Sequence, residues 1–422
     1  MKLQKIINRL QKLHPKEIDL SLDRIKNLCK KLGNPQDEIE CIQVCGTNGK
    51  GSTISFLRSV LREAKIKCNI YTSPHVQRIN ERFVYNDEII SDENLANLLS
   101  EIEEANNGQS LTYFEALTSA FFYGCKKYKK NIVIAEFGLF GRGDAVNILK
   151  KNLCNIVTSC SEDHLDWLPK DERTIERIIY EKTSSLLNSN IIVAKQTSEK
   201  ITECIKKNIF NNNANKFFFK KDYNFVLKEN DFFYYEDKYG GLKIPKPKMN
   251  GQFQLENAST AIATLRILEN LKIKDQQIID GIKKAHNTAR LEEIKSGKLK
   301  DMVKNNTLIL DSSHNPGGSK VLNDYLQTLD CKKHVIIGMM ANKDHKKYIS
   351  YFKNISSLTT VDIPNQKNAI SGMKLKEKFK DIPNVQYKES IEKAIKSIPL
   401  KKNDLLIITG SLYLAGEVLN LN

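Results

Sequence analysis

Residues 39–45 alternate apolar with polar side chains, and Ile54, Leu57, Val60 and Leu61 then recur on one helical face. This pattern predicts a strand, a glycine-rich turn and a helix over 52–64. The rhythm repeats along the chain. Strands are predicted at 67–71, 131–135, 155–159 and 190–195, with helices at 92–105 and from Thr112 and Thr174. The run Asn-Ile-Val-Ile-Ala at 131–135 is apolar without alternation and reads as a strand covered on both faces. Strands separated by helices predict a parallel, doubly wound sheet. Ahead of it, Leu3, Ile6, Ile7, Leu10 and Leu13 mark an amphipathic surface helix over 1–13. Residues 18–25 lead into another helix, which Gly33-Asn34-Pro35 stops after Leu32.

Residues 217–244, rich in aromatics and containing Gly240-Gly241, break the rhythm and predict a small β excursion. Helices follow from Asn250 to Asn270 and over 278–285. After a connection at 286–296 the rhythm restarts, with strands at 307–310, 334–338, 358–362 and 405–409. The expected fold class is α/β. A P-loop parallel-sheet domain with the β excursion spans 1–285, 286–296 is a linker, and a smaller Rossmann-like α/β domain spans 297–422.

A strand that turns through glycines into a helix is a phosphate cradle. Gly46, Gly49 and Gly51 let the backbone approach an anion, and the helix start directs N–H groups at it. Lys50 supplies a point charge, and Ser52 or Thr53 a hydroxyl for a metal. Only two residues separate Gly46 from Gly49, and Gly51 precedes Ser52, so the strict P-loop spacing is not met. A plain glycine-rich turn is the competing reading. Three more polar clusters follow predicted strands, where open α/β sheets bind ligands. Thr72-Ser73-Pro74-His75 is a turn for metal or phosphate, unless Ser73 merely caps a helix. Glu136 stands beside the glycine-rich stretch 138–143, unless it caps or pairs with a lysine. Asp311-Ser312-Ser313-His314-Asn315-Pro316 suits ribose, phosphate or substrate, or else is an Asx-turn. Of seven histidines, His164 and His314 have the most polar surroundings, while His14, His75, His286, His334 and His345 read as structural or surface groups.

Composition adds a formal charge of +16, from 66 Lys+Arg against 50 Asp+Glu. Such charge fits nucleic acid or polyanionic small molecules. The lysines are scattered, with clusters only at 126–130, 243–248 and 343–347, and a bias toward Lys, Asn and Ile accounts for part of the excess. We therefore expect no nucleic-acid partner. No stretch approaches the ~20 apolar residues of a membrane span, and residues 1–13 lack the features of a signal peptide. The nine cysteines form no CxxC pair, which fits reduced thiols in a cytoplasmic protein.

Together these stretches resemble the folylpolyglutamate synthase / dihydrofolate synthase family of the Mur ligase superfamily. The carrying motifs are GTNGKGS (46–52), TSPH (72–75), Phe114-Glu115, Glu136 to Arg142 with Asp144 and Asn147, Asp163-His164, Lys182, 251–258, Arg290, DSSHNP (311–316) and GSLYLAGE (410–417). They run in order over nearly the whole chain. The resemblance implies ATP-dependent joining of L-glutamate to dihydropteroate or tetrahydrofolate through an acyl phosphate, in a monomer that uses Mg²⁺ and K⁺. It assigns ATP to Thr47, Asn48, Gly49, Lys50, Gly51, Ser52, Asn257, Arg290, Asp311 and His314. Metal goes to Ser73, Glu136 and His164. The pterin goes to Asp19, Leu20, Ser21, Phe114, Glu115, Ala116, Leu117, Gly143, Asp144 and Ala145. Lys50, Lys182 and His164 take catalytic roles, Lys182 as a carbamylated lysine. A Mur-type ligase acting on a UDP-sugar peptide is the alternative. Four departures stand out: Phe140 replaces a glycine, Phe253 a histidine, Thr288-Ala289 a Pro-Gly, and Thr183-Ser184-Ser185 an Ala-Gly-Ile. The first predicts a stiffer or shifted loop.

Overall fold

Residues 2–16, 19–228, 231–382 and 384–422 are described by the computed structural model; Met1 and Ile18, included in the helix expectations above, lie outside them. The chain divides into two compact units. The first comprises residues up to Cys160, Glu172–Lys246 and Glu256–Ala285, and the second Ser161–Asp171, Pro247–Leu255 and His286–Asn422.

The first unit is built on strands β1 (Cys41–Cys45), β2 (Cys68–Tyr71), β3 (Phe83–Tyr85), β4 (Glu88–Ile89), β5 (Ile132–Glu136), β6 (Cys154–Val157), β7 (Asn190–Val193) and β8 (Lys216–Phe218). They form one sheet in the order β4-β3-β2-β5-β1-β6-β7-β8. Strands from β2 through β8 in that order run parallel, and β3 and β4 add an antiparallel edge. Every residue of β1 and of β5 is buried, as their apolar runs require of a sheet covered on both faces. Register places Val44 opposite Glu136 and Cys45 opposite Val157, so the loops after β1, β5 and β6 leave the sheet side by side. Lys216–Phe218 corrects the sequence reading, because it extends the main sheet instead of opening the β excursion. The excursion itself is an antiparallel sheet of β9 (Tyr223–Leu227), β10 (Phe232–Asp237) and β11 (Gly240–Pro245).

Local signals explain the helices. Ser91 Oγ caps Asp92–Asn106 by accepting from Asn94 N–H at 3.2 Å, and Thr112 and Glu115 form a capping box at the start of Tyr113–Cys125. Left-handed Gly33 and Asn34 end the helix Asp23–Lys31. The amphipathic helix stops at Leu10 and buries Ile6, Ile7 and Leu10 in the main core.

The second unit carries β12 (Glu292–Glu293), β13 (Thr307–Leu310), β14 (Lys333–Ile337), β15 (Ser357–Val361), β16 (Val385–Lys388) and β17 (Leu405–Thr409), in the order β12-β13-β17-β14-β15-β16. All pairs but the β12 edge are parallel. Phe253, where the family has histidine, packs with Leu291 against this unit's core. No helix among the described residues is long and apolar enough to cross a membrane, and all nine cysteines are free thiols.

Candidate active site

The turn after β1 is shaped by two glycines. Gly46 has φ 129° and Gly49, the N-cap of helix Lys50–Glu63, φ 89°. A Cβ at Gly49 would lie 2.5 Å from Asn257 Oδ1, so loop and asparagine touch. The Thr47 and Asn48 N–H groups donate to the Ser159 carbonyl at 2.9 and 3.0 Å, which pins the turn to the chain after β6. An anion would therefore meet the N–H groups of the helix's first turn, which no helix carbonyl reaches. Lys50 Nζ lies 3.2 Å from the carbonyls of Gly46 and Thr47 and 3.8 Å from Glu136 Oε1. Glu136, at the end of β5, accepts from the Ser73 N–H at 3.1 Å. Three strand-end loops thus bring Lys50, Glu136 and Ser73 together. The hydroxyls of Ser73 and Thr53 are buried without a hydrogen-bond partner. His75 accepts from Arg82 Nε at 2.9 Å, and burial together with that guanidinium pushes its imidazole down to about 4.

Phe140 is fully buried, and its loop is fastened rather than loose. Gly141 and Arg142 N–H donate to Glu181 O at 2.9 and 2.8 Å. Lys182 Nζ donates to Leu139 O at 2.7 Å and lies 5.6 Å from the centre of the Phe140 ring. A Cβ on Gly141 would meet Lys182 O at 2.6 Å. Gly143 at φ 80° packs on Leu20, and Gly138 on the Phe114 ring, so two residues expected at the pterin neighbour the loop that carries a third, Gly143. Ala116 and Leu117 lie in the main core, whereas Glu115 closes its helix cap and binds Arg24 Nε at 3.0 Å. Arg24 also reaches Asp19 Oδ2 at 3.0 Å.

Asp144 accepts from Leu139 N–H at 3.0 Å and Val146 N–H at 2.9 Å. Burial pushes its carboxyl from 3.8 up to about 6, against those bonds and the Lys182 charge. A folded value above the unfolded one stabilises the fold fully below about pH 4, and this contribution is lost as pH rises through 6. Asp144→Asn removes it. Wild type should therefore lose about 2–3 kcal/mol more than the variant between pH 4 and 7 in urea melts. Equal losses would contradict this assignment.

In the second unit the connection into β12 folds back on β13. Leu291 N–H donates to Asp311 Oδ2 at 3.0 Å, and Ser312 N–H to Ala289 O at 2.9 Å, which sets Arg290 beside Asp311. Ala289, where the resemblance leads one to expect glycine, takes φ 55°, a conformation that favours glycine. His314 Nδ1 lies 3.0 Å from Ser312 O, and Asn315 Oδ1 caps helix Pro316–Gln327. His164 sits in this unit too, next to Asp163. Burial raises the Asp163 carboxyl, but His164, His314 and Lys343 outweigh it and hold the group well below the usual carboxylate range. Asp163, Asn315 and Lys343 are polar groups whose convergence the sequence reading missed. The basic run at 343–347 was the available signal.

The family model for the Mur ligase middle domain matches residues 44–265, and that for the Mur ligase glutamate ligase domain residues 290–412. A dihydrofolate synthase/folylpolyglutamate synthase of Buchnera aphidicola subsp. Acyrthosiphon pisum is 30% identical over 98% of this chain and 96% of its own. Among solved structures, Escherichia coli FolC in complex with DHPP and ADP superposes with TM-score 0.88 at 28% identity, covering 99% of this chain and 97% of that one. The bifunctional synthase of Yersinia pestis complexed with AMPPNP and Mn ion gives TM-score 0.86 at 25% identity, covering 99% and 97%.

Proposed function

The chain belongs to the Mur ligase family, in its folylpolyglutamate synthase / dihydrofolate synthase branch, and from that premise we propose that it joins L-glutamate to a pteroate or folate carboxylate with hydrolysis of ATP. The observation that carries the reading is Lys50, at a helix start, within 3.8 Å of Glu136. In the reaction the acceptor carboxylate attacks the γ-phosphorus, ADP leaves, and an acyl phosphate forms. The glutamate amine then attacks the acyl carbon, and phosphate leaves as the nitrogen loses its proton. Phosphoryl transfer needs placement and charge neutralisation more than covalent help. Lys50 and the first-turn N–H groups supply both to the phosphates, with Asn257 alongside. Arg290, Asp311 and His314 are the ATP residues of the second unit in this reading.

The donor set suits a divalent cation. Ser73 Oγ is a buried oxygen without a partner, and Glu136 is a carboxylate beside it. No group of three or more His, Cys, Asp or Glu among the described residues is arranged for a metal. The hydroxyl and carboxylate oxygens of Ser73 and Glu136 suit Mg²⁺, which keeps waters and takes substrate phosphate oxygens; when bound it neutralises charge developing on them. His164 and a K⁺ ion belong to the same proposal, as does action in the cytoplasm. Lys182, 3% exposed, belongs to the same proposal as the lysine that adds CO₂ to become a carbamate.

Purified protein with ATP, Mg²⁺ and glutamate should release ADP only when dihydropteroate or tetrahydrofolate is added. Running the two acceptors side by side shows which reaction it performs. ADP release that depends on neither, or only on a UDP-sugar peptide, would overturn the proposal.

A further inference from the structure

Asp163 is a buried charge with no role in the reaction described so far. Its side chain is 5% exposed, yet both carboxylate oxygens are engaged within the second unit. Oδ1 accepts from Lys343 Nζ at 2.7 Å and from the His164 N–H at 2.9 Å. Oδ2 accepts from Asn315 Nδ2 at 2.9 Å and lies 3.6 Å from His314 Nε2 and 3.8 Å from His164 Nε2. The segment carrying Asp163 is also tied by Lys347 to Glu162 and by Asn342 to Asp166, but these are exposed pairs of small worth.

The donors around Asp163 are not free to turn. Asn315 Oδ1 is committed to the Gly318 N–H at 2.8 Å, so Nδ2 must face the carboxylate. Ser312 O only accepts, so His314 Nδ1 carries a hydrogen, and the other end of the ring, Nε2, faces Asp163 Oδ2 at 3.6 Å. His164 adopts φ 57°, a left-handed conformation that is unfavourable for a non-glycine residue. The bond from its own N–H to Asp163 Oδ1 holds it there.

We propose that Asp163 is a positioning residue for the ligase reaction, its carboxylate fixing the backbone and ring of His164 and the ring of His314 on a single anchor. The proposal rests on the functional reading above. Asp163 acts through the two imidazoles, and Lys343 balances the charge of the anchor. A neutral amide of the same shape would turn its NH₂ toward one set of these donors.

Asp163→Asn should lower kcat by about 10- to 100-fold, the range for groups that orient active side chains, and, because His314 is one of the ATP residues of this reading, should raise the KM for ATP as well. In ¹H–¹³C spectra of the seven histidines, the ring signals of His164 and His314 should move and the other five hold. Lys343→Met, which takes one partner from Oδ1, should change the same two signals and lower kcat less. It stands in if Asp163→Asn does not fold. Unmoved His164 and His314 signals with unchanged kcat would overturn the proposal. So would a shift of all seven signals with a lowered Tm, which marks a merely structural group. If the wild type itself gives no pterin-dependent ADP release, the functional reading falls separately. The spectra then decide the anchor alone, two moved signals keeping it and none removing it.

Discussion

Lys50→Ala should reduce pterin-dependent ADP release by about 10³-fold, the upper range for losing one preorganised group that meets transition-state charge, and leave the fold intact. The size follows from what else the turn offers. In many phosphate loops a run of backbone N–H groups surrounds the anion, but here those of Thr47 and Asn48 already bind Ser159 O. The first turn of the helix and the Lys50 ammonium remain, so the cation carries a larger share. The ammonium is also placed before ATP arrives, by the Gly46 and Thr47 carbonyls at 3.2 Å. Bonds from a charged group to two carbonyls contribute a few kcal/mol at most, so the fold should survive with Tm lowered by no more than about 10 °C. Lys50→Arg should not restore activity, because a planar fork cannot occupy the place of a compact ammonium. A coupled ADP assay and a thermal melt test both halves, and Lys50→Ala turnover within tenfold of wild type would defeat the argument.

What the sequence reveals and what it hides differ in physical kind. Most of the parallel strands were legible because each is an apolar run ended by glycine or a polar cluster, and because caps such as Ser91 and Thr112 are local signals; Val385–Lys388, which alternates and is only half-buried, was not read as a strand. The short edges Glu88–Ile89 and Glu292–Glu293 were not, since two residues carry no period and their pairing comes from the neighbouring strand. Lys216–Phe218 was hidden for a related reason: its place beside β7 is decided by register, while its aromatics match the β excursion that follows. At the candidate site, Lys50, Ser73 and Glu136 were legible one by one, as polar groups ending strands. Their convergence depends on β5 lying between β2 and β1, which is topology and not local pattern. Asp163 and Lys343 are 180 residues apart, and no spacing rule links them. Arg24 and Glu115, 91 apart, were hidden in the same way, as was the ion pair that joins them.

Gly46→Ala should destabilise the first unit by about 2–5 kcal/mol, as two separable contributions. One is conformational: at φ 129° an L-residue costs about 1–2 kcal/mol more than glycine. The other is contact. The new Cβ would stand 2.1 Å from Thr158 Oγ1 and 3.1 Å from Thr158 Cβ and its carbonyl carbon. Thr158 cannot retreat easily, since its N–H and its hydroxyl both donate to Cys45 O, at 2.9 and 3.0 Å, and β6 is locked between β1 and β7. Forcing a methyl into such packing costs about 1–3 kcal/mol. Thr158→Ala removes the hydroxyl that stands nearest, so Gly46→Ala should cost less in that background. The coupling read from urea melts of the four proteins should be about 0.5–3 kcal/mol. Gly49→Ala gives the contrast: its Cβ meets Asn257 Oδ1 at 2.5 Å, the far end of a side chain that can swing away. Its clash should be relieved by movement, and its effect should appear in ATP use more than in stability. If Gly46→Ala costs the same with and without the Thr158 hydroxyl, the contact contribution is absent, and backbone conformation alone explains the glycine.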